Sequence, residues 1–191
     1  MTMGAEMEQS LVGLAEFQRD HHFGKYRGLV SDIGDPDGMG RIRATVPAVY
    51  GEIDSPWALP ALPFAGAGHG LVLLPEVGDG VWIEFEAGDI ARPIWSGGWW
   101  QRDQRPDPKG DTVRLLSTSG GHQLMLDEAA DEIRLKHPGG AEIVLAADGI
   151  TLSFGSCTLQ ISRSEIDLNH GMVKVTTAGA SLVNDAMKIG A

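Results

Sequence analysis

LPEVGDGVWIEFEAGDIARPIWSGGWW, residues Leu74 to Trp100, is the stretch that decides how the first half of the chain folds. Gly78-Asp79-Gly80 reads as a tight turn feeding a strand in which Val81, Ile83 and Phe85 alternate with Trp82, Glu84 and Glu86. A period of two sends one set into a core and the other outward. Gly88-Asp89 reverses the chain, and Pro93 stands early in the next strand, where a missing amide is tolerated. Working outward, Tyr26 to Ile33, Gly40 to Val49, Gly70 to Leu74, Gly80 to Glu86 and Arg92 to Gly97 have the lengths and turn-rich borders of strands in a small barrel. Asp35-Pro36-Asp37-Gly38-Met39-Gly40 predicts a hairpin turn, because proline presets φ and glycine accepts positive φ. The proline-rich span from Pro47 to Gly70 disfavours ladder pairing and predicts a long ordered loop, with Trp57, Leu59 and Phe64 as anchors. Ahead of the barrel, residues 7–20 space Leu11, Leu14, Ala15 and Phe17 as in a short amphipathic helix.

Beyond Trp100 the texture changes. Gln101 to Asp111 is polar, contains two prolines and marks a linker. After it, apolar pairs with one intervening residue recur: Leu124/Leu126, Ile133/Leu135, Ile143/Leu145, Ile150/Leu152, Leu159/Ile161, Ile166/Leu168 and Val173/Val175. Each pair is the inward face of a short strand, with Gly, Asp, Asn and His at the corners. Phe154 is the only aromatic residue among these strands, and no helix is predicted to cover them. Repeats that cannot bury their face alone must stack on neighbours, so the pairs are predicted to form the core of an intertwined trimeric prism in which three chains interleave. Cys157, the single cysteine, falls in this alternation and reads as a small buried hydrophobe.

The segments GKYRGLVSDIGDPDGMGRIRATVP (Gly24 to Pro47), WALPALPFAG (Trp57 to Gly66) and the run from Leu74 to Trp100 together resemble the oligonucleotide/oligosaccharide-binding (OB) barrel of phage baseplate assembly protein V. The same module occurs in the valine-glycine repeat spike of type VI secretion and in spikes of extracellular contractile injection systems. The resemblance implies an all-β protein: an N-terminal helical segment (1–23), an OB-fold barrel (24–100), a linker (101–111) and a triple-stranded β-helical spike (112–191). It implies a structural role, a trimeric central spike joining hub or tube to tip and piercing a target envelope when a sheath contracts. The lysozyme domain of large phage versions and the fused hub of type VI spikes have no counterpart here, so a separate hub protein is expected, contacted by Leu11, Leu14 and Phe17. Some short phage spikes end in a His-x-His apex that binds iron. No such pair occurs near the end of this sequence, so a separate tip protein of the proline-alanine-alanine-arginine repeat type is expected to dock on Leu182, Lys188 and Ile189.

The 26 acidic and 15 basic residues leave a net charge of −11, with 14 against 6 in residues 1–100. Neutralising phosphates needs the opposite balance, which argues against nucleic acid and anionic membranes as partners. No apolar run approaches the roughly 20 residues of a membrane helix, and Glu6 and Glu8 stand where a signal peptide wants positive charge; assembly in the cytosol is expected. Carboxylates fall mostly in turns and on outward positions, so no hydrolase constellation is visible and no enzyme activity is expected. His21, His22, His69, His122, His137 and His170 lack zinc-site spacing, and no cofactor is expected; threefold symmetry could still gather three copies of one histidine on the axis. Trp95, Trp99 and Trp100 offer either a buried interface or an aromatic ligand platform. The competing function is therefore an oligosaccharide- or small-ligand-binding OB barrel trimerised by its tail.

Overall fold

A computed structural model describes residues 3–184 and 186–190. The chain divides into two compact units, Met1–Gln104 and Arg105–Ala191, and is nearly all-β. No helix among the described residues is long and apolar enough to cross a membrane.

The first unit opens with α1 (Met3–Asp20), then β1 (Tyr26–Asp32), β2 (Arg43–Thr45), the single-turn α2 (Pro47–Tyr50), β3 (Leu59–Pro60), β4 (Ala65–Gly66), β5 (His69–Gly70), β6 (Gly80–Phe85) and β7 (Pro93–Trp99). Five strands pair in the order β2-β1-β6-β7-β3, with β3 parallel to β7 and the rest antiparallel. Bridges Ile42↔Ala58 and Thr45↔Asp54 join the β2 side to the approach to β3, curling the sheet towards closure. The predicted alternation along β6 is realised: Val81, Ile83 and Phe85 are buried with Val30, Ile42, Ala44, Val46, Ala58 and Trp95. Buried Ser55 stays satisfied, its Oγ accepting from the Ala44 amide at 3.0 Å and donating to the Pro56 carbonyl at 2.8 Å. Gly80 is required by a close approach, since a Cβ there would stand 2.7 Å from the Trp99 ring.

The β1–β2 turn is organised by one carboxylate. Asp35, its side chain 4% exposed, accepts from the amides of Asp37, Met39 and Arg41 and from the Arg41 guanidinium at 2.9 and 2.6 Å. The guanidinium bonds first, then the amides, hold the Asp35 carboxyl far below the ordinary carboxylate range and raise Arg41. Arg41 and Arg43 in turn lie over the Trp57 ring at 5.7 and 4.8 Å.

Several expectations for this unit need correction. The strand expected over Gly40 to Val49 stops at Thr45, because Pro47 opens a helical turn at its first position, where a lost amide costs nothing. No strand forms over Gly70 to Leu74 beyond β5; the Leu71 amide still donates to the Phe64 carbonyl at 3.2 Å, but Leu71 to Leu74 lie exposed. Leu59 and Phe64 are exposed, so of the three expected anchors Trp57 alone is half-buried; Ala58 and Leu62 pack on the core, and β3 pairs with β7 despite the prolines.

The second unit is one ten-stranded antiparallel meander: β8 (Val113–Ser117), β9 (Gln123–Asp127), β10 (Glu132–Lys136), β11 (Ala141–Ala146), β12 (Gly149–Phe154), β13 (Cys157–Ser162), β14 (Glu165–Leu168), β15 (Val173–Thr176), β16 (Gly179–Leu182) and β17 (Met187–Gly190). Two-residue turns at 147–148, 155–156, 163–164 and 177–178 return the chain directly to its own previous strand. Gly149 is another position only glycine suits: its φ is +157° and a Cβ would fall 2.1 Å from the Ile161 carbonyl oxygen. Strands β9 to β16 are each paired on both sides within one chain, and β8 and β17 are the free edges of the sheet.

Candidate trimer interface

The pairing register places the sequence-predicted apolar pairs in two unbroken columns on one face of the meander. Leu124, Leu135, Ile143, Leu152, Leu159, Leu168 and Val173 stand opposite one another from strand to strand, as do Leu126, Ile133, Leu145, Ile150, Ile161, Ile166 and Val175. The columns run further than the pairs singled out from sequence. Leu116 precedes Leu124, Leu182 and Met187 follow Val173, and Ala180 and Ile189 follow Val175. Met187-x-Ile189 has the same one-residue spacing and was legible by the same rule.

This face is open in a single chain. Ten of the fourteen column residues from β9 to β15 stand between 36% and 45% exposed, and among the described residues Met125 is the module's only buried hydrophobic side chain. The other face carries charge. Arg134 bonds Glu132 at 2.8 Å and Glu142 at 2.6 Å, and Lys174 lies 3.3 Å from both Glu165 and Asp167. These contacts raise Arg134, chiefly through Glu132, and Lys174, chiefly through Asp167; the Gly171 amide leads in lowering Asp167. One face is therefore aliphatic and uncovered in a single chain, while the other mixes these ion pairs with Leu115, Met125 and Val144.

The remaining predicted residues are distributed as follows. Leu11, Leu14 and Phe17 lie exposed on α1; the Phe17 ring stacks on His21 at 4.0 Å, and Leu11 and Leu14 extend the apolar side. Leu182 is half-buried on the apolar face, Ile189 is exposed on the same face, and Lys188 stands on the other. Cys157 is exposed rather than buried: it has the parity of Leu159 and Ile161, but it opens β13 beside a turn, where nothing in the chain covers it. The three tryptophans do not form one platform. Trp95 is buried with Nε1 donating to the Gly40 carbonyl at 3.1 Å, Trp99 donates to the Val81 carbonyl and lies under Arg27, and Trp100 is exposed. His122 and His137 meet edge to face at 4.9 Å, yet among the described residues no group of three or more His, Cys, Asp or Glu side chains is arranged to hold a metal.

Two adjoining family models cover most of the chain. Residues 26–100 match the type VI secretion system/phage-baseplate injector OB domain, and residues 113–182 match the phage baseplate V C-terminal trimerisation domain. The chain carries the OB and C-terminal trimerisation domains of phage baseplate V. No curated protein matches it. The baseplate V trimerisation domain coincides with β8 to β16, the strands that carry the uncovered columns, so this is a homotrimeric structural component of a phage-tail-like injection particle.

Proposed function

We propose that this baseplate V protein is the central spike subunit of a contractile injection machine, assembled in the cytoplasm and driven through the target envelope when the sheath contracts. The observation that carries the reading is the pair of aliphatic columns. Three copies facing one axis cover them mutually and leave the ionic faces in water, a closed prism suited to transmitting force. Ten strands at about 4.8 Å per step give a needle module roughly 40 Å long. In this reading α1 presents Leu11, Leu14 and Phe17 to a separate hub protein. In the second unit β17 offers open amides and carbonyls, covered by a proline-alanine-alanine-arginine repeat tip protein seated on Leu182, Lys188 and Ile189. The chain works mechanically, without turnover of cell-wall, peptide or nucleic-acid substrates.

Negative-stain imaging and sedimentation of the purified chain test this. A trimer with a tapering needle of that length is expected. Compact monomers, or cell-wall hydrolysis abolished by changing one carboxylate, overturn it.

A further inference from the structure

The meander alternates its turns between two edges, and the edges differ. One carries the turns 118–122, 137–140, 155–156 and 169–172; the other carries 128–131, 147–148, 163–164 and 177–178. The first edge therefore has mostly long turns and the second mostly two-residue ones. Every turn of the first edge stands one strand step, half the turn-to-turn spacing of an edge, from the turns of the second, because successive turns of a meander close at opposite ends of successive strands.

We propose that in the trimer these edges mesh: each long turn of one copy seats in the gap between two short turns of the next copy. The inference rests on the reading of the module as one wall of a threefold prism with strands running across the axis. A pure threefold rotation shifts nothing along the axis, so the one-strand offset within one chain becomes a tooth-and-notch offset between copies. The surface chemistry of the edges agrees. Phe154, 64% exposed beside the 155–156 turn, stands level with the notch between the neighbour's 147–148 and 163–164 turns, which Ala147, Asp148 and Arg163 line. The turn that begins at His137 stands level with the notch lined by Asp131, Glu132 and Ala147. All three histidines of the module, His122, His137 and His170, lie along the toothed edge, while Glu128, Asp131 and Asp148 lie along the notched one. The two edges are thus complementary in shape, whereas two copies of the same edge are not.

Cross-linking of the full chain tests the meshing. Cys157 lies on the toothed edge and Ser164 on the notched one, at opposite ends of β13, at least about 17 Å apart in one chain at roughly 3.3 Å per residue. The Ser164→Cys chain, treated with a bismaleimide too short to span that strand, is expected to give covalent trimers on a denaturing gel, and Ser164→Cys with Cys157→Ser is expected to give none. Asp148→Cys, in a second exposed turn, is expected to behave like Ser164→Cys. A chain that sediments as a trimer but yields no covalent species overturns the meshing while leaving the prism intact. Covalent pairs formed through Cys157 alone in the unsubstituted chain also overturn it, because like edges then meet. A chain that sediments as a monomer overturns the prism reading itself.

Discussion

Replacing Leu152 by Ala isolates the contribution of a single rung. Leu152 stands on β12 directly between Ile143 and Leu159 and is 36% exposed in one chain. Only that exposed share is left for the trimer to cover. Full burial of a leucine side chain is worth about 1.5–3 kcal/mol, so association gains roughly 0.5–1 kcal/mol per copy and about 1.5–3 kcal/mol per trimer. Truncation to Ala removes most of this gain, and at about 1.4 kcal/mol per tenfold the trimer dissociation constant should rise roughly 10- to 100-fold. Adding Leu159→Ala, on the facing rung, should about double the effect in free energy, with some departure from additivity because the two side chains touch the same neighbours. Replacing Ile143 and Leu145 together by Asp puts six carboxylates at one level of an apolar core and should abolish the trimer. Sedimentation equilibrium across a urea series reads these changes, with Thr151→Ala as the matched substitution on the ionic face. If Leu152→Ala leaves association unchanged while Thr151→Ala weakens it, the aliphatic columns are not the interface.

Deleting residues 1–20 should leave a folded trimer by sedimentation while capture of the separately produced hub protein is lost; unchanged capture removes α1 from that contact. Mixing the trimer with its tip protein should give a three-to-one complex by mass, lost on removal of residues 182–191. Asp35→Asn should flatten the acid limb of barrel stability measured by chemical denaturation. The depressed carboxyl stabilises the native turn fully above the unfolded carboxyl range near pH 4, and that contribution is lost as pH falls towards the folded value. A variant that loses stability on acidification as steeply as the parent chain refutes this.

What the sequence made legible follows from how local each signal is. The alternation Val81, Ile83, Phe85 and the i, i+2 pairs from Leu124 to Val175 depend only on a strand having two faces; the structure buries the first set and brings the pairs onto one face of the meander. Leu71 to Leu74 have strand composition too, but a strand needs a partner with free amides and carbonyls, and periodicity does not report whether one exists. Pro47 did carry its own signal, since proline suits the first turn of a helix as well as the end of a strand. The role of Asp35 was half visible: a turn-forming aspartate was expected, but its ion pair with Arg41 depends on the chain returning six residues later at the right height. Cys157 was misplaced because parity fixes a face and not a depth; a residue beside a two-residue turn lies at the rim of the sheet.

The two units differ in how far each satisfies itself. In the barrel, nine buried hydrophobic residues form a core within a curled sheet, so backbone pairing and side-chain burial are satisfied together. In the meander, the ladders from β8 to β17 are complete, yet Met125 is the only hydrophobic side chain buried among the described residues. Its backbone is content while its side chains are not. Association then adds aliphatic contact without requiring new strand pairing between chains, except at the outer edges β8 and β17. Assembly of this kind should respond in graded fashion to each column residue and show little sensitivity to the turns. The meshed edges are the exception: there a turn is itself the contact, and lengthening 147–148 or 163–164 by one residue should weaken the trimer although neither turn carries an aliphatic side chain of the columns.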